Sequence, residues 1–386
     1  MKRSVDKILT THAGSLPRAD DWLAMMLERE KGGTIDEKAY VARNRQAVSD
    51  IVKKQLELGI DVIDDGEQGK PSFVTYIHER LGGFVPGGPR GSPWAGSREV
   101  KAFPAYYEAL ARGGGGPSAA TKMICTSPIT YKGQARLQND IDNFKAALKG
   151  VEPADAFIPA ISPANVEEWQ KNEYYKTQEE YLFAIADALH VEYKAIVDAG
   201  FLLQIDDPRF ATYYAMSEIS LADCRKWAEL RVEALNQALK GIPEDRVRFH
   251  TCYSINMGPR VHDMELKDLV DIMLKIRAGA YSFETANPRH EHEWRVWETV
   301  KLPAERMIIP GVISHTTMLV EHPQLICDWI VRFAKVVGRE NVIAGSDCGF
   351  ATFATSHEIH PSIVWAKLGS LAEGAKLATK ELWGRA

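Results

Sequence analysis

The strongest constraint on this chain is a series of eight short β-branched apolar runs, each closing on a polar or glycine cluster, with helical-period segments between most of them. They are ILTTHAGS (8–15), DVIDDGE (61–67), DAFIPAIS (155–162), FLLQIDD (201–207), RVRFHTC (246–252), YSFET (281–285), MIIPGVI (307–313) and NVIAGSD (341–347). Runs of this length and composition read as buried strands. Intervening stretches such as EEYLFAIADALHVEYKAIVDAG and HPQLICDWIVRFAKVVG place apolar residues at three- and four-residue steps and stop at a glycine, as capped helices do. Eight strand-and-helix units predict an α/β fold, and a (β/α)8 barrel rather than an open doubly wound sheet. A ninth strand-like run, TKMICTSPITYKG (121–133), follows the Gly/Pro-rich stretch 82–117. We place both in an excursion at about 82–134, between the second and third units. The stretch reads as a long loop or lid, since no second hydrophobic core follows it, and residues 1–386 read as one barrel domain.

Composition narrows the partners. Hydrophobic residues make up 45% and charged residues 26% of the chain, the balance of a folded globular protein. The formal net charge of -5 leaves no bulk positive field for phosphate backbones or anionic lipid, so neither nucleic acid nor membrane is expected as a partner. The start MKRSVDKILTTHAGS has no apolar run long enough for a signal peptide, and nothing later reaches the ~18 apolar residues of a membrane span, so a cytoplasmic location is expected. Five cysteines, odd in number and widely spaced, fit reduced thiols better than a disulfide framework. The oligomeric state stays open, a homo-oligomer included.

Active sites of such barrels are built where the strands end. These ends carry His12, Ser15, Asp64, Asp65, Glu67, Ser162, Gln204, Asp206, Asp207, His250, Cys252, Glu284, His315, Asp347 and Cys348. His250 and Cys252 stand two apart on a strand, so imidazole and thiol point to one face, as metal ligands do. For an isolated His-x-Cys, a buried cysteine beside a hydrogen-bonded histidine is the better reading. Glu284 and Cys348 at later strand ends shift the balance, because a mixed nitrogen, sulfur and oxygen set suits tetrahedral Zn2+. The segment ANPRHEHEW (286–294) gathers Arg289, His290 and His292 after Glu284, either as a solvated loop or as an anion clamp with a proton donor. Asp207, preceding Pro208, reads as a turn residue and His12 as a structural histidine, while Cys125, Cys224 and Cys327 read as small core residues.

Six motifs carry a family resemblance. TTHAGSLPR, DVIDDGE, LLQIDDP, HTCYS, SFET and SDCGF occur in the same order as motifs of the C-terminal catalytic barrel of cobalamin-independent methionine synthase, in the superfamily that also holds uroporphyrinogen decarboxylase and the coenzyme M methyltransferases. The chain resembles that family from residue 10 to residue 350. The resemblance implies a zinc-dependent thiol alkyltransferase, most simply a methyltransferase making methionine from homocysteine. His250, Cys252, Glu284 and Cys348 would be zinc ligands, Ser15, Glu67 and Asp206 would hold the amino acid thiol, and His315 would be the acid. The partners implied are a small-molecule thiol and a methyl or alkyl donor.

The family's methionine enzyme carries a further N-terminal barrel for polyglutamylated folate that has no counterpart in these 386 residues, so its methyl donor does not carry over. Short homologues resemble core methionine synthases or epoxyalkane:coenzyme M transferases. In the second case a thiol opens an epoxide, and Arg289 or Arg18 would hold its sulfonate. A non-catalytic zinc or corrinoid-protein accessory module is the alternative outside enzymes.

Overall fold

A computed structural model describes residues 1–89, 94–112, 121–254, 258–354 and 359–384. Each of the eight runs contains a strand: Leu9–Thr10, Val62–Asp64, Asp155–Ile161, Leu202–Asp206, Val247–His250, Ala280–Phe283, Met307–Pro310 and Ile343–Ala344, the first to eighth barrel strands below. The second to seventh pair side by side in chain order in one parallel sheet, and the first pairs in parallel with the eighth. Parallel bridges Ile308–Val342 and Gly311–Gly345 join the seventh strand to the eighth. On the other side the Asp61 N–H donates to the Thr10 carbonyl at 3.2 Å, and Thr11 Oγ1 donates to the Val62 carbonyl at 2.9 Å. The curled sheet therefore closes as the ring of a barrel-type α/β fold.

Period-two alternation sorts the residues of this ring. Leu203, Ile205, Val247, Phe249, Tyr281 and Phe283 point outward into the main hydrophobic cluster shared with the surrounding helices. Their neighbours Gln204, Asp206, Arg248, His250 and Ser282 are equally buried but point inward. Below them, small apolar clusters fill the base: Leu9, Ala280, Met307, Ile309 and Ile343 on one side, Val62, Phe157 and Leu202 on the other. Chemistry-bearing side chains thus collect above an apolar floor. The two helices expected from their glycine stops occupy Gln178–Asp198 and Pro323–Val337, and both Gly200 and Gly338 have positive φ. No described helix is long and apolar enough to cross a membrane.

Within the excursion at 82–134, residues 90–93 and 113–120 lie outside the described residues. The stretch read as a loop is in part a strand, because Leu81–Pro89 pairs antiparallel with Thr121–Tyr131, and Lys171–Asn172 adds in parallel. The strand signal was hidden by glycines that the pairing needs. Gly83 sits at a register shift with φ +95, and a Cβ there would lie 2.8 Å from the Pro128 carbonyl oxygen.

Glu192, on the helix Gln178–Asp198, ties this hairpin to the barrel. It accepts hydrogen bonds from Tyr76 at 3.0 Å and Tyr131 at 2.7 Å, and lies 3.9 Å from Arg80. Removing the carboxylate strands the buried Tyr76 hydroxyl, the half-buried Tyr131 hydroxyl and half of a buried ion-pair cluster. Glu192→Ala should therefore lower unfolding free energy by about 3 kcal/mol, read from urea titrations. A loss below about 1 kcal/mol would mean that the hairpin is anchored elsewhere.

Candidate metal centre

The fifth strand ends on His250, which points into the barrel mouth. Its Nδ1 meets Ser282 Oγ on the neighbouring strand at 3.0 Å, fixing the ring, while Nε2 is buried without a partner. Cys252 lies two residues on, and Cys348 arrives from the loop after the eighth strand with its Sγ 3.3 Å from that of Cys252. One donor atom from each of His250, Cys252 and Cys348 fits within 4.8 Å of the others. Burial, with Arg248 and His315 nearby, lowers the His250 pKa to about 3, so the ring is neutral and its Nε2 lone pair is available. Contact with Cys252, then burial, pushes the Cys348 thiol well up, and a bound cation would reverse that preference. An orphaned imidazole nitrogen held from behind and two touching thiols form a donor set that fits zinc.

Glu284 stands beside this trio, not in it. Its Oε1 accepts from the Tyr253 N–H at 2.6 Å, and its Oε2 accepts from Arg260 Nη2 and Asn287 Nδ2, both at 2.9 Å. It groups with His315 and Asp347, again with one ligating atom of each within 4.8 Å. His315 Nε2 donates to the Ser254 carbonyl at 3.1 Å, and Nδ1 has no partner. Asp347 Oδ1 accepts from the Thr285 and Ala286 amides at 2.8 Å, while burial and then the charge of Glu284 raise its carboxyl to about 7.

A second polar group begins on the adjacent strand, where Asp206 is the register partner of His250. Asp206 ends the fourth strand and accepts from Gln204 Nε2 at 2.7 Å. Burial, then the charge of Glu67, hold its carboxyl well above the usual range. Glu67 itself has φ 53, a left-handed conformation that costs a non-glycine residue about 1–2 kcal/mol. The carbonyl of Glu67 is pinned by Arg18 Nη2 at 2.8 Å and the Lys70 amide at 3.1 Å. Gly14, with φ +124, lets the first-strand loop approach: a Cβ there would lie 2.7 Å from Glu67 Oε1. Ser15 packs against Gly349, the residue after Cys348, and its Oγ accepts from the Ala351 N–H at 3.3 Å.

The remaining candidates divide. His290 is buried, but Arg289 and His292 are exposed, and Arg289 reaches the Val261 carbonyl at 3.3 Å, so the structure does not bring that pair to the thiols. Asp207 accepts from the Phe210 N–H at 3.1 Å as a helix N-cap. His12 uses both ring nitrogens, on Gln55 at 2.7 Å and the Gly14 N–H at 3.1 Å. Cys125, Cys224 and Cys327 sit in the hydrophobic core. Arg260, Asp263 and Asn287 were not picked out from the sequence. The available signal was an Arg and an Asp three apart in the loop directly after the His-x-Cys motif.

His290 lies between Asp263 at 3.1 Å and Glu293 at 3.0 Å. Burial lowers its pKa, but the hydrogen bonds to Asp263 and Glu293 win and raise it from 6.5 to about 9. A folded pKa above the unfolded one contributes stability that is complete below about 6.5 and is lost as pH rises through about 9. Melting temperature should fall across that window, and His290→Gln should flatten the fall. Equal slopes in both proteins would remove His290 as the cause.

A family model described as "Cobalamin-independent synthase, Catalytic domain" matches residues 8–110 and 161–365. Among curated relatives, a methionine synthase of Thermococcus kodakarensis is 24% identical over 376 residues, covering 97% of this chain and 94% of that protein. One of Saccharolobus solfataricus is 26% identical over 377 residues, covering 97% and 95%. The fold is shared with a B12-independent methionine synthase from Shewanella sp. W3-18-1 solved with selenomethionine, at TM-score 0.75 and 18% identity over 98% of this chain and 100% of that one. A putative vitamin-B12-independent methionine synthase from Listeria monocytogenes gives TM-score 0.66 at 20% identity, covering 98% and 99%.

Proposed function

Because the chain belongs to the cobalamin-independent methionine synthase family and is a transferase of the methyltransferase type, we propose that it methylates a thiol, with homocysteine as acceptor and methionine as product. The observation that carries this reading is the meeting of the unpartnered His250 Nε2 with the Cys252 and Cys348 thiols, next to Asp206 on the adjacent strand and the Glu67 carboxylate that acts on it. His250, Cys252 and Cys348 would hold a zinc ion, with Glu284 as an exchangeable fourth donor. When bound, zinc supplies a cation that keeps an incoming thiol ionised, hence nucleophilic, near neutral pH.

This chain's own residues do the remaining work. Asp206 and Glu67 would share the substrate ammonium, whose positive charge would relieve the repulsion between the two buried carboxylates. Ser15, packed against the residue after Cys348, and neighbouring amides would take the substrate carboxylate. His315 donates through Nε2 to Ser254, which leaves Nδ1 as the nitrogen that can take up a proton and pass it to the leaving group. Among the described residues, the two arginines that a sulfonate thiol would call on are placed otherwise. Arg18 is spent on the carbonyls of Ala351, Glu67 and Lys70, and Arg289 is exposed.

Metal analysis of the purified chain should give one zinc per chain, and Cys252→Ser or Cys348→Ser should lose both zinc and methyl transfer. Full zinc occupancy in either variant would sink the ligand assignment. For the acceptor, a charge-assisted contact worth ~1.5–3 kcal/mol predicts that Asp206→Asn raises the KM for homocysteine roughly tenfold or more. The same substitution should barely affect a thiol lacking the amino group. An equal loss with both thiols would show that Asp206 organises the site and does not read the ammonium.

A further inference from the structure

The carboxylate beside the thiols is the end of a buried chain of charges. Glu284 Oε2 accepts from Arg260 Nη2 at 2.9 Å, and Arg260 Nε donates to Asp263 Oδ2 at 2.9 Å. That same oxygen meets His290 Nε2 at 3.1 Å, and His290 Nδ1 meets Glu293 Oε2 at 3.0 Å. Glu293 closes the series by accepting the Leu266 N–H at 2.7 Å. The Tyr253 ring stacks on His290 with centroids 3.8 Å apart and lies 5.3 Å from the Arg260 guanidinium. Every ionised member is buried, and Arg260 holds a left-handed backbone, φ 55, rare for a residue with a side chain.

Such a series is a costly way to pack a loop, since apolar side chains of similar volume usually stabilise as well or better. What it does that an apolar cluster would not is aim a guanidinium at Glu284. The geometry ties Glu284 to the thiols from both sides: the Tyr253 N–H that it accepts follows Cys252 in the chain, and Asn287 Nδ2 bridges it to Asp347 Oδ2 at 3.3 Å, the residue before Cys348. A carboxylate that shares an oxygen with a charged donor is a weaker metal ligand than a free one, because the neighbouring cation and hydrogen bond lower its basicity.

We propose that Arg260, helped by Asn287, is a positioning residue that holds Glu284 in competition with the metal, and so keeps the fourth coordination position open to exchange by the substrate thiol. The proposal rests on reading His250, Cys252 and Cys348 as metal donors with Glu284 as the fourth. With Arg260 present, a thiol entering the position releases Glu284 into a ready ion pair. Without it, a displaced Glu284 is left as a buried charge with a weaker partner, so it stays on the metal.

The test uses the full chain loaded with cobalt, with two readouts: the rate of cobalt removal by EDTA, and homocysteine titration followed by the sulfur-to-cobalt charge-transfer band. Losing one charge-assisted hydrogen bond to Glu284, Arg260→Met should slow metal removal roughly tenfold and raise the homocysteine half-saturation by a similar factor, and Arg260→Lys should recover part of both. Asn287→Ala should move both readouts the same way by less, and carries the test if Arg260→Met does not fold. Faster metal loss in the Arg260 and Asn287 variants, or both readouts within twofold of the unaltered chain, would overturn the proposal. Cys348→Ser separates the two readings. If it loses cobalt while the Arg260 and Asn287 variants are silent, only this proposal fails; if it retains cobalt unchanged, the metal reading and the proposal fail together.

Discussion

A barrel mouth built from inward-facing polar side chains has to neutralise what it buries, and the guanidinium of Arg248 begins that task. It is 1% exposed, donates to Thr11 Oγ1 and the His12 carbonyl, both at 2.9 Å, and lies 4.0 Å over the Phe157 ring. Burial lowers its pKa to about 10, with Asp64 and Asp206 working the other way. The cation therefore sits between the apolar floor and the carboxylates above it. The same charge helps keep His250 neutral, so one buried arginine acts on both halves of the site.

The carboxylate half is assembled by backbone as much as by side chains. Gly14 and Glu67 are both held at positive φ, and Arg18 clamps three carbonyls from the loops around them. Strain of this kind persists only where the surroundings over-determine it. Here the surroundings include Lys70, whose Nζ reaches the Pro159 carbonyl at 2.5 Å and lies 4.6 Å from the Tyr76 ring. Tyr76 donates in turn to Glu192, so the excursion hairpin and the Asp206 and Glu67 carboxylates share one network.

The thiol half obeys a different rule. Its side chains come from three strand ends, the fifth, sixth and eighth, and each has a fixed contact: His250 with Ser282, Glu284 with Arg260, and Asp347, the residue before Cys348, with the amides of Thr285 and Ala286. Side chains locked by such contacts are preorganised, with little conformational freedom left to lose.

The sequence by itself determined the eight strands, because β-branched runs with polar ends are a local signal. It also singled out His250 and Cys252 from their two-residue spacing, although the strand ends at His250 and Cys252 lies just beyond it. Only the tertiary structure decided what those side chains meet. The strand Leu81–Pro89 was hidden because its glycines serve a close approach to a partner some forty residues away. Arg289 and His292 stood out in the sequence and Arg260 did not, yet the loop after the sixth strand leaves the first two at the surface while the loop after the fifth turns Arg260 onto Glu284. Periodicity assigns a face within an element, whereas the partner of a loop charge depends on how distant loops close over the mouth, and no local pattern encodes that.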